Sequence, residues 1–176
     1  MRKENDIRNF VNIPDYLSIG NALCGVLAIF MALEGQLWVS AFLIVGGAIF
    51  DLFDGRVARK LNMASEFGVQ LDSLCDVVSF IVAPAVFAYS VLDHDWYVLL
   101  ILALYIVTGV LRLARYNVTG TTDGGKYFEG VPVPVSILLP FLYFFFNHYQ
   151  IDLSIWLLVY CIHGILMVSV IKIKKL

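Results

Sequence analysis

Long hydrophobic runs alternate with short polar segments along the whole chain. An α-helix rises about 1.5 Å per residue, so roughly 20 apolar residues are needed to cross a bilayer core about 30 Å thick. Six runs have about that length: residues 16–33, 37–54, 69–92, 96–117, 133–148 and 153–171. The pattern therefore predicts an all-α integral membrane protein with six transmembrane helices. Residues 16–176 form one domain in this interpretation, and residues 1–15 form a juxtamembrane segment before it.

The composition supports a membrane protein. Hydrophobic residues make up 60% of the chain and charged residues 15%, and the mean hydropathy is +0.83. A soluble globular protein is about half apolar and about a quarter charged. Cys24, Cys75 and Cys161 lie far apart in apolar runs, which fits neither a disulfide framework nor a zinc site. These values exclude a disordered chain and an ordinary soluble enzyme.

The basic residues all fall on one side of the six predicted helices. The 12 Lys and Arg residues stand at positions 2, 3 and 8, at 56, 59 and 60, at 112, 115 and 126, and at 172, 174 and 175. The loops on the other side contain acidic residues such as Glu34, Asp93 and Asp152 but no Lys or Arg. Because basic loops stay in the cytoplasm, both termini and the two longer loops are expected to be cytoplasmic. This orientation describes a multi-pass protein of the cell membrane.

Four aspartates border the hydrophobic runs, where acids are costly. Asp51 and Asp54 are three residues apart, and Asp72 and Asp76 are four apart, so each pair shares one face of its helix. Two carboxylates about 4 Å apart repel each other by about 4 kcal/mol at an effective dielectric constant near 20. A cluster of such oxygens favours Mg²⁺ or Mn²⁺, because both are hard cations. The alternative is that each acid simply faces interfacial water.

The residues around the acids follow a fixed spacing. The pattern consists of Asp51, Asp54, Gly55, Ala58, Arg59, Gly68, Asp72 and Asp76. It resembles the motif of the CDP-alcohol phosphatidyltransferase family at all eight defining positions, which are spread over 26 residues, with every spacing kept. The resemblance extends to the six-helix layout, so it covers nearly the whole chain. Residues 70–80, 112–117 and 128–134 are similar to the serine-accepting members of the family, while Asp15 and Ser18 depart from the family's pattern in the first helix.

The resemblance implies a reaction. Members of the family transfer a phosphatidyl group from a CDP-linked lipid to an alcohol and release CMP. It implies that Asp51, Asp54, Asp72 and Asp76 bind one or two Mg²⁺ or Mn²⁺ ions. Asp76 is expected also to act as the general base on the attacking hydroxyl. The site would face the cytoplasm, where the nucleotide and a water-soluble acceptor are available.

The resemblance also implies substrate-binding residues. For the CDP-lipid they are Asn21, Asp51, Gly55, Ala58, Arg59, Gly68, Arg112 and Arg115, and for the acceptor they are Lys126 and Glu129. Arginine offers a fork of donors that matches phosphate or carboxylate. The alternatives are that Arg112 and Arg115 extend to lipid headgroups, that the glycines serve helix contacts, and that residues 118–131 are only a connector.

The expected partners are CDP-diacylglycerol or a CDP-archaeol-type lipid, L-serine, the CMP product and the bilayer, with no nucleic acid. The resemblance also implies a homodimer. Few basic residues lie near the motif, which suits serine better than glycerol phosphate or inositol phosphate as acceptor. A cation transporter is the competing class, but transporters place their polar groups near the midplane of the membrane.

The orientation of the chain can be tested by cysteine labelling. A cysteine at position 3 and one at position 94 are expected to react from opposite faces of the membrane, because the basic residues fall on one side only. A membrane-impermeant maleimide applied to intact cells should label position 94 alone. Labelling of both positions from outside contradicts the six-helix topology.

Overall fold

The computed structural model describes Ile7 and residues 10–63, 65–120 and 127–174. Within them the α-helices are α1 (Asp15–Leu33), α2 (Leu37–Leu61), α3 (Glu66–Asp76), α4 (Ala83–Val91), α5 (Trp96–Thr119), α6 (Leu138–His148) and α7 (Leu153–Val168). A π-helix, Val77–Val82, joins α3 to α4, and a 3₁₀ turn, Val133–Ile137, leads into α6. Two short strands, β1 (Tyr127–Glu129) and β2 (Lys172–Lys174), complete the order.

Among the residues that the structure describes, four helices are long and apolar enough to span a membrane. They are α1, α2, the continuous helix Glu66–Val91 and α5, of 19 to 26 residues each. The last two apolar helices, Val133–His148 and Leu153–Val168, are shorter than 18 residues, and 16 residues of α7 extend only about 24 Å. The structure therefore confirms a helical protein with four candidate membrane-spanning helices among the described residues, and the count of six stays a prediction.

The two strands add a feature that hydropathy does not predict. β1 pairs with β2 in antiparallel register, with Tyr127 opposite Lys174 and Glu129 opposite Lys172. The amide of Gly130 continues the contact by donating to the carbonyl of Ile171, at 2.9 Å. The chain after α5 is thereby attached to the end of α7.

Small residues bring α1 and α2 together. Ala28 and Ala32 on α1 and Ala41 on α2 are almost completely buried. The Ser40 hydroxyl donates across the contact to the carbonyl of Ala28, at 2.8 Å. Close packing of small side chains with a hydroxyl contact is typical of helices in a bilayer, where the hydrophobic effect does not drive one helix onto another.

Aromatic side chains of α5 and α7 pack together in the interior. Tyr105 and Tyr160 pack edge to face with ring centroids 5.0 Å apart, and Trp156 lies 5.2 Å from Tyr160. The Tyr160 hydroxyl donates to the carbonyl of Pro84, at 2.7 Å. The outer surface is equally apolar, with Trp96 76% exposed and Ile165 66% exposed. Such a surface suits lipid better than water.

The π-helix at Val77–Val82 has an identifiable cause. In an α-helix the carbonyl of Phe80 would accept from the amide of residue 84, but Pro84 has no amide hydrogen. Instead the Phe80 carbonyl accepts from the hydroxyl of Ser136 and, at 3.4 Å, from that of Tyr105. The wider helical turn begins directly after Asp76. A proline and two hydroxyl donors therefore determine how the helix continues beyond this acid.

Gly25 on α1 lies directly against the π-helix and provides a test of this packing. A Cβ atom at Gly25 would come within 2.7 Å of the Ser79 Cα, whereas one at Gly46 would meet only the Cys24 Sγ, at 3.6 Å. We expect Gly25→Ala to cost about 1–3 kcal/mol of stability, because the backbone of a helix cannot yield as a side chain can. The matched variant Gly46→Ala should be neutral. Thermal unfolding of the purified proteins in detergent measures both, and equal midpoints for the two variants would contradict the packing argument.

Candidate metal centre

Two helices bring the four aspartates of the motif to one place. Asp51 and Asp54 lie on α2, and Asp72 and Asp76 lie on α3. Asn62 ends α2 in the left-handed conformation, with φ of 53°, and turns the chain back. Ser65 then caps α3 by accepting a hydrogen bond from the amide of Gly68, at 3.0 Å. This short turn and cap place the two helices side by side.

Three of the four carboxylates form a close cluster. Asp51, Asp72 and Asp76 can each present one oxygen, and these oxygens all lie within 4.8 Å of one another. Asp76 is buried, while Asp51 and Asp72 are half-buried. One oxygen of Asp72 is enclosed and accepts no hydrogen bond from any residue that the structure describes. An unpartnered carboxylate oxygen in such a cluster is a ready ligand for a cation.

Asp54 stands beside this cluster and is held from α1. It is 6% exposed, its Oδ2 accepts from the Ser18 hydroxyl at 2.8 Å, and it borders the same cavity as Asp72. Ser18 departs from the family's pattern, and sequence reasoning gave it no role. A signal was nevertheless present, because Asp15, Ser18 and Asn21 are polar residues at three-residue spacing in an apolar helix.

Asn21 is the second α1 residue that contacts an acid. Its Nδ2 donates to Oδ1 of Asp76 at 3.0 Å, and its side chain is completely buried. The reverse amide orientation would set two acceptor oxygens against each other, so the acid determines which way the amide points. Gly47 makes room for this side chain, because a Cβ atom there would lie 2.7 Å from the Asn21 Oδ1. The structure thus places Asn21 against Asp76.

A cavity of about 110 Å³ opens next to the acids. Its lining comes from the start of α1, the end of α2 and the start of α3: Pro14, Asp15, Ser18, Asp54, Gly55, Ala58, Met63, Ser65, Gly68, Val69 and Asp72. Gly55 has open space where a side chain would be, and a Cβ atom at Gly68 would come within 2.8 Å of the Asp15 carboxylate. Three residues expected at the CDP-lipid, Gly55, Ala58 and Gly68, therefore border the cavity. Arg59 is exposed on the outer face of α2.

The two arginines of α5 have different surroundings. Arg112 is 6% exposed and lies over the ring of Tyr116, 5.2 Å from its centroid. Arg115 donates hydrogen bonds of 3.0–3.1 Å to four backbone carbonyls, those of Glu129, Met167, Val168 and Ser169. The guanidinium of Arg115 thus joins the end of β1 to the end of α7.

The residues expected at the acceptor lie near this junction. Glu129 ends β1 and is half-buried, and its carbonyl is one of those bound by Arg115. Lys126 lies outside the residues that the structure describes, as does most of the segment 1–15.

The donor set fits a hard divalent cation. The ligands on offer are carboxylate oxygens, clustered within bonding reach of one ion, and one of them is enclosed without a partner. Mg²⁺ and Mn²⁺ prefer such all-oxygen ligand sets. The alternative of four independent acids facing water disagrees with the burial of Asp54 and Asp76.

The chain is similar in sequence to several known proteins. Archaetidylserine synthase of Methanothermobacter thermautotrophicus is 41% identical over 139 residues, which cover 77% of this chain and 59% of that protein. The CDP-diacylglycerol–serine O-phosphatidyltransferase of Methanocaldococcus jannaschii is 37% identical over 170 residues, which cover 96% of this chain and 77% of that protein. The enzyme of that name from Helicobacter pylori is 35% identical over 128 residues, which cover 72% of this chain and 54% of that protein. The match to the first and last of these spans little more than half of their length.

The family model described as CDP-alcohol phosphatidyltransferase matches residues 11–171, which include all four aspartates, both α1 residues that contact them and both α5 arginines. Together with the 41% identical relative, this match shows that the chain belongs to the CDP-alcohol phosphatidyltransferase family.

Proposed function

We propose that this protein transfers a phosphatidyl group from a CDP-linked lipid to the hydroxyl of L-serine and releases CMP. The observation that carries the proposal is the cluster of Asp51, Asp72 and Asp76 oxygens within 4.8 Å beside a cavity. The names of the three relatives, two serine phosphatidyltransferases and an archaetidylserine synthase, support serine as the acceptor. The donor is CDP-diacylglycerol or its ether-linked equivalent.

The acids explain how a charged donor is accommodated. Asp51, Asp72 and Asp76, with Asp54 beside them, would hold one or two Mg²⁺ or Mn²⁺ ions. When bound, such ions neutralise the diphosphate and stabilise the charge that develops on CMP as it leaves. Ser18 and Asn21 keep the carboxylates oriented through hydrogen bonds of 2.8 and 3.0 Å. Gly55, Ala58 and Gly68 leave space for the nucleotide.

Asp76 is the proposed general base. Asn21 occupies its Oδ1, so the other oxygen is available to accept a proton. In the reaction the serine hydroxyl gives its proton to Asp76 and its oxygen bonds to the phosphorus that carries the lipid. The bond from that phosphorus to CMP breaks, and CMP leaves with the electron pair. Burial of Asp76 beside apolar side chains keeps bulk water from competing as the acceptor.

The remaining expectations belong to the same proposal. Residues 16–176 form one domain with six membrane crossings, and both termini and the site face the cytoplasm. The protein lies in the cell membrane, and it assembles as a homodimer. The position of the 12 basic residues supports this side of the membrane, and the homodimer is implied by the family resemblance alone.

The function is tested by CMP release from CDP-diacylglycerol or CDP-archaeol in detergent, with L-serine, glycerol phosphate and inositol phosphate in parallel. We expect release with serine and Mg²⁺ or Mn²⁺, and loss of release after chelation. Release with another acceptor and none with serine would leave the chemistry in place and overturn the choice of acceptor. No release with any acceptor overturns the proposed reaction.

The metal ligands are tested by two neutral substitutions. Asp51→Asn and Asp72→Asn should each abolish turnover but still allow membrane insertion, because an amide is a poorer ligand for a hard divalent ion. CMP release and recovery from the membrane fraction are measured together. Asp93→Asn, at an exposed loop position, is the control and should keep full activity. Normal metal-dependent turnover by either site variant contradicts the ligand assignment.

The base is tested by separating donor binding from transfer. Asp76→Asn should still bind the CDP-lipid, because the other three acids remain, but transfer should fall by roughly 10²- to 10⁴-fold, as for a missing general base. Donor binding by titration calorimetry and turnover are measured on one preparation. If binding and turnover fall in equal proportion, Asp76 is only a ligand.

A further inference from the structure

The hydroxyl of Ser79 reaches from the π-helix to α1. Ser79 is completely buried and donates to the backbone carbonyl of Asn21 at 2.8 Å. A serine or threonine inside a helix commonly bonds back to a carbonyl of its own helix. Ser90 and Thr108 do so in this protein, each to the carbonyl three residues earlier. The Ser79 hydroxyl instead holds the neighbouring helix.

The residue that Ser79 holds is also the residue that contacts the proposed base. The Nδ2 of Asn21 donates to Oδ1 of Asp76 at 3.0 Å. One end of Asn21 is therefore fixed by Ser79, and its other end fixes Asp76. Because the Asn21 side chain is completely buried, it can influence the substrates only through Asp76.

Two glycines give Ser79 and Asn21 their space. A Cβ atom at Gly25 on α1 would come within 2.7 Å of the Ser79 Cα. A Cβ atom at Gly47 on α2 would lie 2.7 Å from the Asn21 Oδ1 and 3.5 Å from the Ser79 Cβ. Gly47 itself lies four residues before Asp51, which is about one helical turn. The π-helix, α1 and α2 thus enclose Ser79 and Asn21 directly beside the acids.

The orientation of the Asp76 carboxylate matters for the proposed reaction. The terminal torsion of an aspartate is soft, so the carboxylate turns easily unless a hydrogen bond holds it. Asn21 holds one oxygen, and the other oxygen is left to accept a proton. Partners that orient such groups typically matter by roughly 10- to 100-fold in activity.

We infer that Ser79 is a positioning residue for the transfer reaction. It holds Asn21, and Asn21 holds the Asp76 carboxylate with one oxygen free for the proton of the acceptor hydroxyl. This inference rests on the proposed function. It moves Asn21 from the CDP-lipid to Asp76, and it adds Ser79, which lies outside the eight-position motif.

Ser40 offers a matched control for Ser79. It is completely buried on α2, and its hydroxyl donates to the carbonyl of Ala28 on α1, also at 2.8 Å. Ala28 lies seven residues beyond Asn21, which is about 10 Å further along α1. The two serines therefore make the same bond to the same helix with the same burial, and they differ in their distance from the acids.

The test compares Ser79→Ala with Ser40→Ala. Both variants should lower the midpoint of thermal unfolding in detergent by a similar amount, because each removes one buried hydrogen bond. Ser79→Ala should also lower kcat for transfer to L-serine roughly 10-fold or more, with an unchanged KM for CDP-diacylglycerol. Ser40→Ala should keep the wild-type kcat.

A double-mutant cycle tests whether Ser79 acts through Asn21. Asn21→Ala alone should lower kcat by roughly 10- to 100-fold. Adding Ser79→Ala to it should lower kcat no further, because the connection to Asp76 is already broken. If Ser79→Ala does not fold, Ser79→Cys takes its place, since it keeps the volume with a weaker donor.

Three outcomes overturn the inference. Equal kcat values for the Ser79 and Ser40 variants would make Ser79 a packing residue. A raised KM for the CDP-lipid with an unchanged kcat would assign Ser79 and Asn21 to donor binding. Effects of the Ser79 and Asn21 substitutions that multiply would mean that the two residues act independently. Failure of the proposed function is a separate result, because the wild-type protein would then release no CMP with serine at all.

Discussion

The repulsion between carboxylates gathered at the edge of a hydrophobic span is the constraint on which the rest of the structure depends. At 4.8 Å and an effective dielectric constant near 20, each ionised pair among Asp51, Asp72 and Asp76 costs about 3.5 kcal/mol. Helix α1 offsets part of this cost, because Ser18 and Asn21 donate hydrogen bonds to Asp54 and Asp76. The cluster still carries excess negative charge, and the proposed function places a divalent cation between these acids and an anionic donor.

Close packing keeps these donors in reach of the acids. Gly25 allows the backbone of α1 to approach Ser79, whose hydroxyl in turn donates to the carbonyl of Asn21 at 2.8 Å. Gly47 gives the Asn21 side chain its space. The π-helix that follows Asp76 is held by Ser136, which belongs to the 3₁₀ turn after β1. The acid proposed as the base is thus connected by packing and hydrogen bonds to α1 and to the segment that Arg115 anchors.

The sequence predicts the site better than it predicts the contacts around it. The spacing of the acids on two neighbouring helices is a local property, so the proximity of Asp51, Asp72 and Asp76 follows from helical periodicity and a short turn. The partners of Ser18 and Arg115 depend on how distant helices pack. Ser18 contacts Asp54, which is 36 positions away, and Arg115 contacts Ser169, which is 54 positions away. Pro84 can be read from the sequence, but the Tyr105 and Ser136 hydroxyls that donate to the Phe80 carbonyl lie on other elements. Hydropathy likewise cannot distinguish a 16-residue apolar helix from a full span.

The claim that the acids and the donor share a divalent ion is tested most directly by magnetic resonance with Mn²⁺. The protein in lipid nanodiscs is titrated with Mn²⁺, and ³¹P electron–nuclear double resonance is recorded after addition of CDP-diacylglycerol. The account predicts Mn²⁺ bound at the Asp51, Asp72 and Asp76 cluster and a phosphorus coupling that appears only with the donor. Tightly bound Mn²⁺ without a phosphorus coupling, or a coupling that persists in Asp72→Asn, would contradict it.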